Sequence, residues 1–111
     1  MQKIREVKYY KRYALDFINA QKPKVIAKIE WTIRLIENVP KVPSTYLKHL
    51  EGTNGLYEIR VQYGSDIFRI FCCFDQGALV ILFNGFQKKT QKTPADEINK
   101  ALTIKKEYEQ E

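Results

Sequence analysis

The stretch from Leu56 to Phe86, LYEIRVQYGSDIFRIFCCFDQGALVILFNGF, decides the fold class of this chain. Its first eight residues alternate between a mostly polar set and an apolar set, which predicts a half-buried strand. The runs IFRIFCCF and ALVILFNGF predict two further strands, and the turns Gly64–Asp66 and Asp75–Gly77 separate the three. Strands joined by such tight turns predict an antiparallel meander without a crossover helix.

Helical patterns precede this stretch. Apolar residues recur at helical spacing from Lys11 to Gln21 and, most clearly, over KVIAKIEWTIRLIENV. These two segments are expected to form an αα-hairpin with a turn at Pro23. The preceding IREVKYY fits either a short strand or the first turns of a helix, and we favour the strand.

Two more elements follow from capping residues. After the second helix, STYLKHLEG is expected to form a turn that Ser44 caps. A last helix is predicted to begin at Pro94 with Thr93 as its N-cap. This order indicates the α+β class. We expect N-terminal helices packed on a small antiparallel β-sheet with a C-terminal helix, in one domain over residues 1–111.

The composition predicts a folded, basic domain. Of the 111 residues, 44% are hydrophobic, which is enough for one buried core. The longest mostly apolar stretch, Ala78–Phe83, is far shorter than the roughly 20 residues of a membrane span. The N-terminal region carries charges where a signal peptide is apolar, so we expect a cytoplasmic protein without membrane contact. A net charge of +6 favours an acidic partner such as nucleic acid.

Few residues are available for a metal or a cofactor. Cys72 and Cys73 are adjacent, so on a strand they face opposite sides and make a poor disulfide. His49 is the only histidine, which leaves a zinc site without ligands. A glycine-rich phosphate loop is also missing from the sequence. We therefore expect no metal site and no cofactor.

The sequence concentrates cationic residues around the meander. Arg60 lies on the first strand, Arg69 on the second, and Lys88 and Lys89 come just after the third. If the strands pair in order, these side chains converge on one face or edge of the sheet. Arg69 stands in an apolar run, where an unpartnered charge is costly to bury. The alternatives to a functional role are a buried ion pair with Glu58 or bonds to the backbone.

Such a cluster suits cleavage of RNA without a metal. Attack of the neighbouring 2′-hydroxyl requires a base, positive charge on the developing phosphorane and a proton donor for the leaving oxygen. Arginine fits the second role because its planar group binds two phosphate oxygens at once and stays charged.

The motifs GLYEIR, FRIF and NGFQKKTQKTPADEI resemble those of the RelE/ParE superfamily of type II toxin–antitoxin toxins. The resemblance covers essentially the whole chain and is to the HigB-like branch in particular, which is found in bacterial and phage-derived loci. It implies a RelE-like fold and a metal-independent endoribonuclease, an mRNA interferase that cuts ribosome-bound message and inhibits translation. It also implies a cognate antitoxin, which in this branch is usually a small helix-turn-helix protein.

The resemblance assigns catalytic residues. Arg69 matches the arginine that contacts the scissile phosphate, and Arg60 matches the basic residue of the preceding strand. Glu58 stands where some relatives carry a lysine that acts in proton transfer, so it is either a base or the group that orients Arg60. Lys88 and Lys89 occupy the region where relatives place catalytic or RNA-contacting side chains.

The resemblance also suggests RNA-binding residues. Phe86 offers a stacking face for a base, unless it belongs to the core. Lys48 and His49 lie near a loop where some relatives use polar residues, although a lone histidine is often a bystander. Lys92 belongs to the basic loop after the last strand. Relatives often carry a Tyr or His near the end of the last strand as proton donor, and NGFQKK has neither, so Lys88 or Lys89 serves as the acid only if its pKa is lowered.

Two other functions compete with the nuclease. ParE-type toxins of the same superfamily poison DNA gyrase without hydrolysing RNA, and they tend to lack the cationic set. A plain nucleic-acid-binding module is compatible with the net charge alone. The arginines and lysines named above favour the nuclease.

Overall fold

The computed structural model describes residues 3–77, 79–89 and 92–111. Its elements, in chain order, are β1 (Glu6–Tyr9), α1 (Tyr13–Asn19), α2 (Pro23–Asn38), β2 (Leu47–His49), β3 (Tyr57–Tyr63), β4 (Asp66–Asp75), β5 (Leu79–Lys88) and α3 (Ala95–Glu109). The predicted α+β class and the predicted strand β1 are confirmed. Within the described ranges, no helix has the length and apolar character needed to cross a bilayer.

The sheet has five strands in the order β1-β5-β4-β3-β2. Strands β3, β4 and β5 form the predicted antiparallel meander. The turns between them contain Gly64 and Gly77, whose φ angles of +61° and +76° favour glycine. At one edge β1 adds in parallel to β5, with Glu6 opposite Leu79. The sheet is therefore mixed, which the alternation pattern of the meander does not reveal.

The segment STYLKHLEG differs from its prediction. Leu47–His49 form the edge strand β2, which pairs antiparallel with β3. The expected turn is therefore wrong for Leu47–His49, whereas residues 44–46 do form a turn, in which the N–H of Tyr46 donates to the oxygen of Pro43 at 2.9 Å. Pairing with β3 stabilises a strand that is too short to have a recognisable pattern of its own.

The helices cover both faces of the sheet. Helices α1 and α2 pack on one face, as expected of the N-terminal helices, around the buried residues Ala14, Ile18, Val25, Ile29, Ile33, Ile36, Ile59, Val61, Phe68, Ile70, Cys72, Val80 and Leu82. Pro23 begins α2 and does not only mark the turn before it. Helix α3 packs on the opposite face, with Ala101 and Ile104 against a second cluster of buried side chains.

Thr93 is not the N-cap of α3, contrary to the prediction. Pro94 occupies the cap position, and no side chain caps the helix there. The Thr93 hydroxyl instead donates to Oε2 of Glu58 at 3.4 Å. The Thr93 hydroxyl therefore bonds to a residue on β3, and not to the first turn of α3 as the local sequence pattern predicted.

A register shift shapes the end of β5. The pairing with β4 slips between Ile70 and Cys72, so Phe83 and Phe86 lie on the same face and both join the core under α3. On the other face, Gly85 lies against the ring of Phe17, where an added Cβ would come within 2.4 Å. The irregularity brings the last residues of β5 beside Ile67 and Arg69.

The two cysteines are free and buried, on opposite faces of the sheet, as predicted. Burial raises the pKa of both thiols, that of Cys73 to about 11. Both therefore remain protonated, inert core residues at neutral pH.

Candidate nucleic-acid interface

The strand register brings charged side chains from neighbouring strands to one face of the sheet. Arg60 on β3 lies directly opposite Arg69 on β4. Lys48 on β2 lies opposite Glu58, which is two residues before Arg60. Lys88 on β5 lies opposite Ile67, two residues before Arg69. Because residues two apart on a strand share a face, these side chains form one cluster, which we call the charge cluster.

Glu58 lies at the centre of the charge cluster. Its Oε1 is 3.7 Å from Nε of Arg60 and 3.7 Å from Nε of Arg69. Only 6% of the Glu58 side chain is exposed, against 30% for Arg60 and 6% for Arg69. Like charges that face each other across strands repel, so one buried carboxylate between two guanidinium groups offsets that repulsion.

Arg69 combines both alternatives that the sequence left open. Its Nη1 donates to the backbone oxygen of Phe68 at 3.1 Å, and its Nε faces Glu58. Burial lowers the pKa of Arg69, the Glu58 charge raises it, and the Arg60 charge lowers it again. The Nε atoms of Arg60 and Arg69 are both buried, and neither has an acceptor within hydrogen-bond distance among the described residues.

Lys88 and Lys89 differ although they are adjacent. Lys88 is half-buried and Lys89 is exposed. Burial lowers the pKa of Lys88, the charges of Arg69, Arg60 and Lys48 lower it further, and Glu58 opposes them. This is the direction that a lysine requires to act as a proton donor near neutral pH.

The predicted RNA-binding residues do not all lie together. Lys48 shares the face of the charge cluster, but His49 points to the other face, where its ring contacts that of Tyr57 at 5.1 Å. Phe86 is 8% exposed and its ring stacks on Phe71 at 5.6 Å, which is the packing of a core residue. Lys92 is exposed on the segment before α3.

Sequence reasoning missed a cavity of about 370 Å³ between α2 and β3. Arg60 and Arg69 line this cavity together with Lys28, Thr45 and Tyr46. Lys28 comes from α2, far from the meander in sequence, so its position depends on helix packing. The sequence offered no signal that joined it to the arginines.

The charge cluster is suited to anion binding. Four cationic side chains share the face with one carboxylate, and the two arginines can bind phosphate oxygens through their planar donors. Among residues 3–77, 79–89 and 92–111, no three His, Cys, Asp or Glu side chains lie close enough to hold a metal ion. The arrangement can hold a phosphodiester beside a carboxylate and a lysine.

The arrangement of the strands and helices is a RelE-like fold. The chain is similar to a chain in the crystal structure of the archaeal RelE–RelB complex from Pyrococcus horikoshii OT3, with a TM-score of 0.55 and 15% identity. The match covers 80% of this chain and 98% of the archaeal chain. At this identity the likeness concerns the fold alone.

Residues 16–106 match the model of the family described as phage-derived protein Gp49-like (DUF891). The chain belongs to this family. The resemblance to the RelE superfamily that the sequence motifs predicted is thereby confirmed for family and fold. A search of curated proteins gives no match to the chain.

Proposed function

We propose that the protein is the toxin of a type II toxin–antitoxin system and that it inhibits translation by cutting ribosome-bound mRNA. The observation that carries this proposal is the pairing of Arg60 and Arg69 across two strands on a single carboxylate. The RelE-like fold and the Gp49-like family support it. The activity would belong to the cytoplasm, where ribosomes translate.

The chemistry follows from the positions of the charges. The 2′-hydroxyl of a nucleotide attacks the adjacent phosphorus while a base takes its proton, and the bond to the leaving 5′ oxygen breaks. Arg60, the more exposed arginine, meets the phosphate, and Arg69 adds its charge at the base of the site. Lys88 gives its proton to the leaving oxygen. Glu58 orients both arginines, and it is the carboxylate available as the base.

The proposal includes an antitoxin as partner. The archaeal relative in the matched structure is in complex with RelB, and a cognate helix-turn-helix antitoxin is proposed for this chain. Toxin inhibition requires tight binding, so a Kd of roughly nanomolar is expected. Co-purification of the chain with the product of the neighbouring open reading frame tests this part.

The nuclease activity is tested with purified protein on ribosomes that translate a defined message. Cuts at defined codon positions are expected, and Arg69→Ala should abolish them. Arg12→Ala is the matched control, because Arg12 is an exposed arginine outside the charge cluster. Unchanged cutting by a folded Arg69→Ala variant would remove Arg69 from the site. Broken supercoiled DNA in the presence of gyrase, with intact message, would favour a ParE-like toxin instead.

A further inference from the structure

The sheet is open beside the charge cluster. Strand β2 pairs with β3 only from His49 to Leu47, and the backbone N–H of Arg60 then donates to the oxygen of Tyr46 at 2.8 Å. Nη1 of Arg60 also donates to the oxygen of Ser44 at 3.2 Å. These bonds hold the segment before β2 at the edge of β3. The cavity of about 370 Å³ described above, which we call the notch, lies there between α2 and β3.

The notch is positively charged. Lys28, Arg60 and Arg69 line it, and its described lining contains no carboxylate. A larger cavity of about 690 Å³ has the opposite character, since Asp75, Glu109 and Glu111 line it with Lys105 as the one cation among its described lining residues. Charge therefore marks the notch, and not the larger cavity, as the place for an anion.

Glu58 holds the two arginines of the notch from inside the protein. The Nε atoms of Arg60 and Arg69 are buried, and each lies 3.7 Å from Oε1 of Glu58. This distance is too long for a hydrogen bond, and no other described residue accepts from either atom. The Arg69 side chain is only 6% exposed. A phosphate in the notch therefore meets the guanidinium group of Arg60, whose side chain is 30% exposed, because phosphate oxygens are strong acceptors for guanidinium groups.

Aromatic rings adjoin these cations. Tyr46 lines the notch, and its ring contacts that of Trp31 edge-on at 5.7 Å. Trp31 is 41% exposed, and Nζ of Lys28 lies 4.4 Å from the centre of its ring. Cations beside exposed aromatic rings are typical of sites for single-stranded nucleic acid, because every base has a face that stacks.

We propose that the notch binds one nucleotide of single-stranded RNA next to the scissile phosphate. Lys28 and Arg60 bind the phosphate of this nucleotide, and its base stacks on the aromatic pair Tyr46 and Trp31. The proposal rests on the proposed function, because the notch shares Arg60 and Arg69 with the charge cluster. Stacking tolerates any base, so the notch supports RNA binding without strong sequence preference.

The test uses the full chain and a short oligoribonucleotide with a 2′-O-methyl group on every sugar, which removes the attacking hydroxyl. Trp31 is the only tryptophan, and its ring contacts Tyr46 of the notch lining, so its fluorescence reports on binding beside it. Binding should quench this fluorescence. Anisotropy of a labelled oligonucleotide then gives the Kd of variants.

Trp31→Leu and Tyr46→Leu should each weaken binding about tenfold, as expected for the loss of one stacking ring. Lys28→Met should weaken binding. It should also reduce the slope of the logarithm of the binding constant against the logarithm of salt concentration by the amount expected for about one phosphate contact. Tyr9→Leu is the control, since Tyr9 is an equally exposed aromatic residue on β1 at the opposite edge of the sheet. Thermal unfolding verifies that each variant is folded, and exposed Trp31 can be replaced without a cavity in the core.

The outcomes separate the notch from the nuclease. If Trp31→Leu, Tyr46→Leu and the wild type bind the oligonucleotide with equal affinity, the notch is not an RNA-binding site. The same conclusion follows if the protein cuts message on the ribosome but does not bind the oligonucleotide. Binding that depends on Trp31 and Tyr46, together with intact message on the ribosome, overturns the proposed nuclease and leaves the notch as a nucleic-acid site. Loss of affinity in both variants, with cutting by the wild type, supports both.

Discussion

Arg60 and Arg69 lie directly opposite each other on neighbouring antiparallel strands, although both are positively charged. Tight pairing of β3 with β4 enforces this approach, and Glu58 lies 3.7 Å from each Nε. Stability alone does not favour such an arrangement, since like charges opposite one another destabilise a sheet. It does concentrate positive potential at one point, which anion binding requires.

Replacement of Glu58 should reveal how strongly the arginines repel. Glu58→Gln removes the buried carboxylate between them and leaves Arg69 as an uncompensated buried charge. We expect the free energy of unfolding to fall by about 3 kcal/mol in denaturant titrations. Glu6→Gln, at an exposed carboxylate, should change it by less than about 0.5 kcal/mol. Equal stability of the two variants would contradict a central role for Glu58.

The adjacent lysines should respond differently to removal of their charge. Because the pKa of Lys88 is lowered in the folded state, its charged form costs stability, and this cost falls as pH rises from the lowered pKa to the ordinary value of 10.5. Lys88→Met should therefore raise the melting temperature at neutral pH, while Lys89→Met should leave it unchanged. If Lys88 is the proton donor, Lys88→Met should also slow message cutting by about 100-fold or more. A lower melting temperature for Lys88→Met would contradict the first expectation.

The contact of Gly85 with Phe17 predicts a steric limit on β5. Gly85→Ala places a Cβ within 2.4 Å of the phenyl ring, so we expect a loss of about 1 to 3 kcal/mol in the free energy of unfolding. The loss should be smaller in a Phe17→Leu background, where the ring is absent. A double-mutant cycle measures this coupling. If the two substitutions change the free energy of unfolding additively, the cost of Gly85→Ala does not come from the contact with the ring of Phe17.

Tyr108 should make the docking of α3 sensitive to alkaline pH. Its hydroxyl donates to Asp75 on β4, and this bond raises the pKa of Tyr108 to about 12 from an ordinary value of 10.0. The stabilisation is complete below pH 10 and is lost as pH rises towards 12. Tyr108→Phe should cost about 1 kcal/mol at neutral pH and reduce the alkaline decline. Tyr63→Phe, at an exposed tyrosine, should change neither the stability at neutral pH nor its decline at alkaline pH.

The convergence of the arginines is predictable from the sequence because tight turns join the meander strands. A short turn forces sequential strands to pair, and pairing in order brings Arg60 to Arg69. The face of a residue on β2 is not predictable in this way. Lys48 and His49 are neighbours, and only the pairing of β2 with β3 decides that Lys48 joins the charge cluster.

Other features depend on contacts between distant segments. The burial of Phe86 depends on the register shift in β5, which strict alternation cannot reveal. The notch depends on the packing of α2 beside β3, which places Lys28 and Arg60 in the lining of one cavity. The hydroxyl of Thr93 donates to Glu58 and does not cap α3, because a hydrogen bond to a distant strand competes with the local cap.

The parallel pairing of β1 with β5 has a consequence for biosynthesis. Among the described residues, the strand partner of Glu6–Tyr9 is Leu79–Leu82, which the ribosome makes much later. Contacts so distant in sequence slow folding, and a nascent chain that lacks β5 has an incomplete sheet, in which β4 pairs with β3 alone and β1 lacks its partner β5. A polypeptide released before β5 would therefore lack Lys88 and the finished charge cluster, so premature termination should yield a product without the proposed nuclease activity.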